Sequence, residues 1–92
     1  MATIEKDLTC FPSNDPSDVQ FTMHVGDTLQ FLDPDGVCVL YYSPPEGFTT
    51  VDVDGGWGFV ATEGNVKYPY AYFMFAGVEG RFTTYSVVVY NP

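Results

Sequence analysis

Between Val19 and Tyr42 the chain alternates, turns, alternates again, turns, and then runs apolar. Val19, Phe21, Met23 and Val25 are apolar while Gln20, Thr22 and His24 between them are polar, the period-two pattern of a strand with one side on a core. Gly26-Asp27 interrupts the alternation before Thr28 to Leu32, and Pro34-Asp35-Gly36 interrupts it again. The apolar run Val37 to Tyr42 then reads as a central strand, ended by Ser43-Pro44-Pro45-Glu46-Gly47 because consecutive prolines cannot donate to a ladder.

The rest of the chain reads the same way. Ile4 to Phe11 is a first strand and Pro12 to Asp18 a loop; Thr49 to Val53 and Trp57 to Thr62 flank a turn at Asp54-Gly55-Gly56. From Tyr68 to Ala76, Tyr68, Tyr70, Tyr72 and Met74 alternate with Ala71, Phe73 and Phe75, and Pro69 places the start of that strand at an edge or bulge. Gly77 to Gly80 turns the chain into the β-branched segment Phe82 to Tyr90. Helical periodicity has no comparable signal. The expectation is an all-β domain spanning residues 1–92, a two-sheet antiparallel Greek-key sandwich of about seven short strands.

The stretch Phe21 to Leu40, with its apolar strand, Val-Gly-Asp-Thr turn and alternating strand, resembles the cupredoxins. The closing segment from Gly80 to Pro92 looks like their end strand; immunoglobulin-like sandwiches share the Gly-Asp-Thr turn and are the second resemblance. The cupredoxin resemblance implies a copper centre whose first histidine falls at or beside Cys38 and whose cysteine ligand falls at or beside Ser86. The downstream histidine and axial methionine have no counterpart. A type I copper site takes two imidazoles, a thiolate and a weak axial ligand, whereas the chain holds one histidine, His24, in another strand. The expectation is the scaffold without metal or cofactor.

Composition narrows the partners. Twelve acidic against three basic residues give a formal charge of −9, which repels nucleic-acid backbones and anionic membranes while keeping an aromatic-rich chain in solution. No segment has the run of apolar residues that a membrane helix requires, and the start, Met1 to Cys10, has no basic-then-apolar leader pattern; taking Met1 as the native start, the cytoplasm is favoured. Cys10 and Cys38 lack the spacing of a zinc or redox motif and are expected as free thiols, with a single bridge as the alternative.

Asp33-Pro34-Asp35-Gly36 and Asp52-Val53-Asp54-Gly55 each begin as a calcium loop begins, but Tyr42 and Ala61 stand where the closing glutamate is required. They are expected as turns, weak calcium binding being the alternative. With one histidine, no nucleophile motif and no phosphate loop, no enzyme activity is expected.

The aromatic set Tyr41, Tyr42, Phe48, Trp57, Tyr68, Tyr70 and Tyr72 remains. With Phe73 and Phe75 in the core, Tyr68, Tyr70 and Tyr72 face outward, either as plain cover or as a binding row for a protein partner or for self-association. The expected function is a non-catalytic, metal-free binding or structural interaction module. The alternative is an acidic inhibitor or nucleic-acid mimic that binds a basic protein surface.

Overall fold

The computed structural model describes residues 1–8, 20–41, 45–64, 70–77 and 82–91. These form two packed four-stranded sheets and no helix, the all-β sandwich expected. The strands are β1 (Thr3–Asp7), β2 (Gln20–His24), β3 (Thr28–Leu32), β4 (Val39–Leu40), β5 (Phe48–Val51), β6 (Gly56–Ala61), β7 (Ala71–Ala76) and β8 (Phe82–Tyr90). Sheet I has the order β1-β3-β6-β5 and sheet II the order β2-β8-β7-β4.

Each sheet is mixed rather than wholly antiparallel. β1 runs parallel to β3 and β2 runs parallel to β8, while the other four pairings are antiparallel. The first parallel pair arises because β2, between β1 and β3 in the chain, crosses to the opposite sheet, so β3 returns to sheet I in the direction of β1. Alternation along a strand encodes which face is buried, not which neighbour it has.

The interior is built from the predicted apolar phases. Leu29 and Phe31 of β3 point inward, as do Phe59 of β6, Phe73 and Phe75 of β7, and Tyr85, Val87 and Val89 of β8. Phe31 is the hub between the layers: its ring lies 6.1 Å from Phe59 within sheet I, and 5.3, 4.6 and 5.0 Å from Phe73, Phe75 and Tyr85 of sheet II. Each such fully buried ring contributes about 1.5–3 kcal/mol through removal from water. On the outward side of β6, Gly58 is covered by the methyls of Val51 and Val53, and a Cβ at Gly56 would overlap the carbonyl oxygen of Phe31. Only glycine lets β3, β5 and β6 approach this closely.

The run Val37 to Tyr42 is not a central strand. β4 is two residues long and lies at the edge of sheet II, with Val37 and Val39 exposed. The cause is Asp33, whose carboxylate accepts the backbone amides of Val37 at 3.3 Å and Cys38 at 2.9 Å. Those amides stay with the turn, and ladder pairing begins only at Val39. The first strand likewise ends at Asp7, followed by buried Leu8; the expected remainder to Phe11 lies outside the described residues.

Candidate interaction surface

The outer face of sheet II follows directly from its register. Ser86 in β8 is flanked by Gln20 of β2 and Tyr72 of β7; Thr84 faces Met74, Phe82 faces Ala76, and Ala76 faces Val39 of β4. Toward the other end, Val88 pairs with Thr22 and Tyr90 with His24. Tyr41 extends the β4 side, its amide donating to the Met74 carbonyl at 2.8 Å.

None of these residues is Asp, Glu, Lys or Arg; His24 stands with its Nδ1 3.9 Å from Oδ2 of Asp27. The described charged residues lie elsewhere: Glu5, Lys6 and Asp7 on β1, and Asp27, Asp33, Asp35, Glu46, Asp52, Asp54 and Glu63 in turns or beside strand ends. Exposed apolar surface is concentrated here instead: Val39, Tyr41, Tyr72, Phe82 and Tyr90 are exposed by 62, 57, 49, 47 and 52%.

Of the predicted tyrosine row, Tyr72 is exposed and Tyr70 half-buried, with rings 6.1 Å apart, while Tyr68 lies outside the described residues. Ala71, Phe73 and Phe75 are buried, so the two faces of β7 fall as their polarity requires. The wider aromatic set is divided: Phe48 and Trp57 turn inward against Phe73 and Phe75 at 5.2 and 5.1 Å, and Tyr41 turns outward against Phe82. Tyr42 lies outside the described residues. Phe82, Tyr90 and Val39 were not singled out from sequence, although the outward phase of Phe82 to Tyr90 already contained the first two.

The acidic turns have structural work. Asp27 is buried, and its carboxylate accepts the amides of Ala2 and His24, both at 2.9 Å, which holds it below its ordinary carboxylate range. Asp33 holds the turn into β4 as described, and its own amide donates to the Gly55 carbonyl at 2.7 Å. Asp52 and Asp54 rim a shallow cleft of about 520 Å³ along the β4–β5 side of the sandwich, floored by Leu40, Trp57 and Phe59.

Cys38 is buried and free of any disulfide; Cys10 lies outside the described residues. Burial first, then the neighbouring carboxylate of Asp33, pushes the Cys38 thiol up to about 11. The positions that the cupredoxin resemblance assigned to copper ligands do not meet. Cys38 precedes Val39, which leads across β7 to Phe82, whereas Ser86 is four residues further along β8, roughly 13 Å away. His24, opposite Tyr90, is eight residues along from Phe82, roughly 26 Å. Among the described residues no three of His, Cys, Asp and Glu converge on a common point.

No protein-family model matches the chain, and neither does any curated protein.

Proposed function

We propose that the protein is a non-catalytic, metal-free binding module on a cupredoxin-like sandwich, and that it docks through the outer face of sheet II. The observation that carries this reading is the concentration of exposed aromatic and aliphatic side chains on a face that bears no Asp, Glu, Lys or Arg among the described residues, in a chain of net charge −9. Exposed apolar side chains grouped on one face of an otherwise acidic surface support this reading. Tyrosines at such a site supply contact area at little entropic cost.

The cupredoxin-like assignment is favoured over the immunoglobulin-like one by topology. Immunoglobulin sandwiches consist of antiparallel sheets, whereas both sheets here contain a parallel pair. The non-catalytic assignment rests on how the reactive groups are used: Asp27 and Asp33 are engaged by backbone amides, the Cys38 thiol is held protonated, and His24 stands on the exposed face.

The test is site-specific photocross-linking in the source organism, with a benzophenone side chain at Tyr72, Phe82, Thr49 or Asp52. Adducts from Tyr72 and Phe82, and none from Thr49 or Asp52, are expected. Adducts from Asp52 alone, lost as salt is raised, would overturn this reading in favour of an acidic module that binds a basic surface.

A further inference from the structure

The Asp33 turn leaves the sandwich open at one edge. Because Asp33 holds the amides of Val37 and Cys38, β4 keeps only Val39 and Leu40, and among the described residues little of sheet II covers the inner side of β5. Thr50 shares that inner side with its register partner Phe59, yet Phe59 is buried and Thr50 exposed. Asp52 follows Thr50 in the same phase, since Val51 and Val53 cover Gly58 on the outward side. The gap is the cleft of about 520 Å³, with Leu40, Trp57 and Phe59 for its floor and Thr50, Asp52 and Asp54 at its rim.

The floor is apolar and aromatic: Trp57 packs against Phe75, ring centroids 5.1 Å apart, and stays half-buried. The rim is anionic. Asp27 and Asp33 commit their carboxylates to backbone amides, whereas among the described residues no hydrogen bond or ion pair engages Asp52 or Asp54. Lys6, the one Lys or Arg among those residues, stands on β1 at the opposite edge of sheet I, its Nζ 4.6 Å from the centre of the Phe21 ring.

From these observations, none of which involves the outer face of sheet II, we propose that the cleft binds a small organic cation, an ammonium group carried on an apolar or aromatic body. The carboxylates attract the ammonium group, and the floor takes the body out of water. An aromatic floor adds the attraction of a ring face for a cation. A metal ion fits less well, because a hard cation takes about six to eight oxygens and no three His, Cys, Asp or Glu side chains converge among the described residues. An anion would meet two carboxylates and no counter-charge. The volume lies within the range of small-molecule clefts, roughly 300–1,000 Å³, and a single protein side chain would leave most of it unfilled.

The test is titration of the purified full chain, read by the emission of Trp57, the single tryptophan of the sequence, excited beyond the tyrosine absorption band. Phenethylammonium chloride is expected to give a saturable change, 2-phenylethanol to bind about tenfold more weakly, and phenylacetate to give none; about tenfold is what two surface carboxylates supply together. Raising sodium chloride should narrow the gap between cation and alcohol. Asp52→Asn combined with Asp54→Asn should bring the cation down to the level of the alcohol. Glu5→Gln combined with Asp7→Asn, which removes the same charge from the opposite edge of the sheet, should leave the preference intact. If the first pair does not fold, Thr50→Arg, which places a resident cation at the rim, should abolish the preference instead.

A cation that neither changes the Trp57 emission nor raises the melting temperature overturns the inference. So does equal binding of cation and alcohol, or a preference that survives the changes at Asp52 and Asp54. Saturation by calcium chloride where phenethylammonium has no effect overturns it too. Capture of a protein by the benzophenone at Asp52 would give the cleft to a basic side chain of that protein, and the small-molecule inference would fail. Cross-linking at Tyr72 and Phe82 is decided separately, so the docking reading stands or falls on it whatever the titration shows.

Discussion

The carboxylate of Asp27 accepts the amide of Ala2 at 2.9 Å, fastening the entry to β1 onto the turn between β2 and β3. Its second oxygen accepts the His24 amide, also at 2.9 Å, so one side chain joins the edge of sheet I to the end of an edge strand of sheet II. These two hydrogen bonds favour the ionised form and lower the folded-state pKa. A depressed carboxylate pKa gives stability that is present above the unfolded value, near 3.9, and is lost as pH falls through the folded value. Asp27→Asn should therefore melt at a lower temperature at pH 7 and lose less stability than wild type between pH 4 and pH 2, as read from thermal melts across that range.

The thiol of Cys38, pushed up to about 11 and buried, should be inert in the native state. In a Cys10→Ser variant, where it is the sole thiol, titration with an aromatic disulfide at pH 8 should proceed far more slowly than in denaturant. Equal rates would show the side chain to be accessible. Removing the neighbouring acceptor with Asp33→Ala should cost about 1.5–3 kcal/mol, the scale for hydrogen bonds to a charged group, and speed the reaction.

The two faces of β7 separate in energy. Tyr72→Ala, at an exposed outward position, should change the stability of the isolated chain by about 0.5 kcal/mol or less, unless the outer face is already occupied. Phe73→Ala, one residue away in the core, should cost about 3–5 kcal/mol. Chemical denaturation of both variants at low protein concentration measures the difference; equal losses would contradict the assignment of faces.

Gly56→Ala should be among the most damaging small substitutions in the protein. The added methyl overlaps the Phe31 carbonyl, a backbone atom that moves only if β3 and β6 separate. The expected cost is about 2 kcal/mol or more, toward the upper end for overpacked sites, and Gly55→Ala next to it meets no neighbouring atom. At Gly55, with φ of 72°, the cost is backbone strain alone.

Cu(II) added to the purified protein should give no intense visible thiolate-to-copper band. His24 and Cys38 lie at opposite ends of sheet II, and the Cys38 thiol resists ionisation. An intense band would require a ligand set drawn from elsewhere in the chain.

The strands Thr28–Leu32 and Phe82–Tyr90 were legible to the residue, because strict alternation with β-branched and aromatic side chains leaves no competing register. The outward phase of Tyr70 and Tyr72 was legible for the same reason. Val37 to Tyr42 misled because an apolar run is read as burial on both sides, whereas Asp33 takes the first two amides and leaves the following residues on an edge. The exposed apolar face of sheet II was legible only in part: Val39, Phe82 and Tyr90 join Tyr72 through the strand order β2-β8-β7-β4, and that order depends on crossings between sheets that no local pattern records. The parallel pairs were hidden for the same reason.

The position of β8 constrains when the molecule becomes itself during synthesis. Among the described residues β2 has no hydrogen-bonded neighbour in its sheet except β8, and β7 has the two-residue β4 until β8 arrives. Sheet II is therefore incomplete on the ribosome until Tyr90 has left the exit tunnel, and until then Met23, Phe73 and Phe75 lack the share of the core that Tyr85, Val87 and Val89 supply. Nascent chains stalled short of Tyr90 should be digested by proteases at β2 and β7, and a stall far enough beyond it for the tunnel to be cleared should switch both sites to protection in one step.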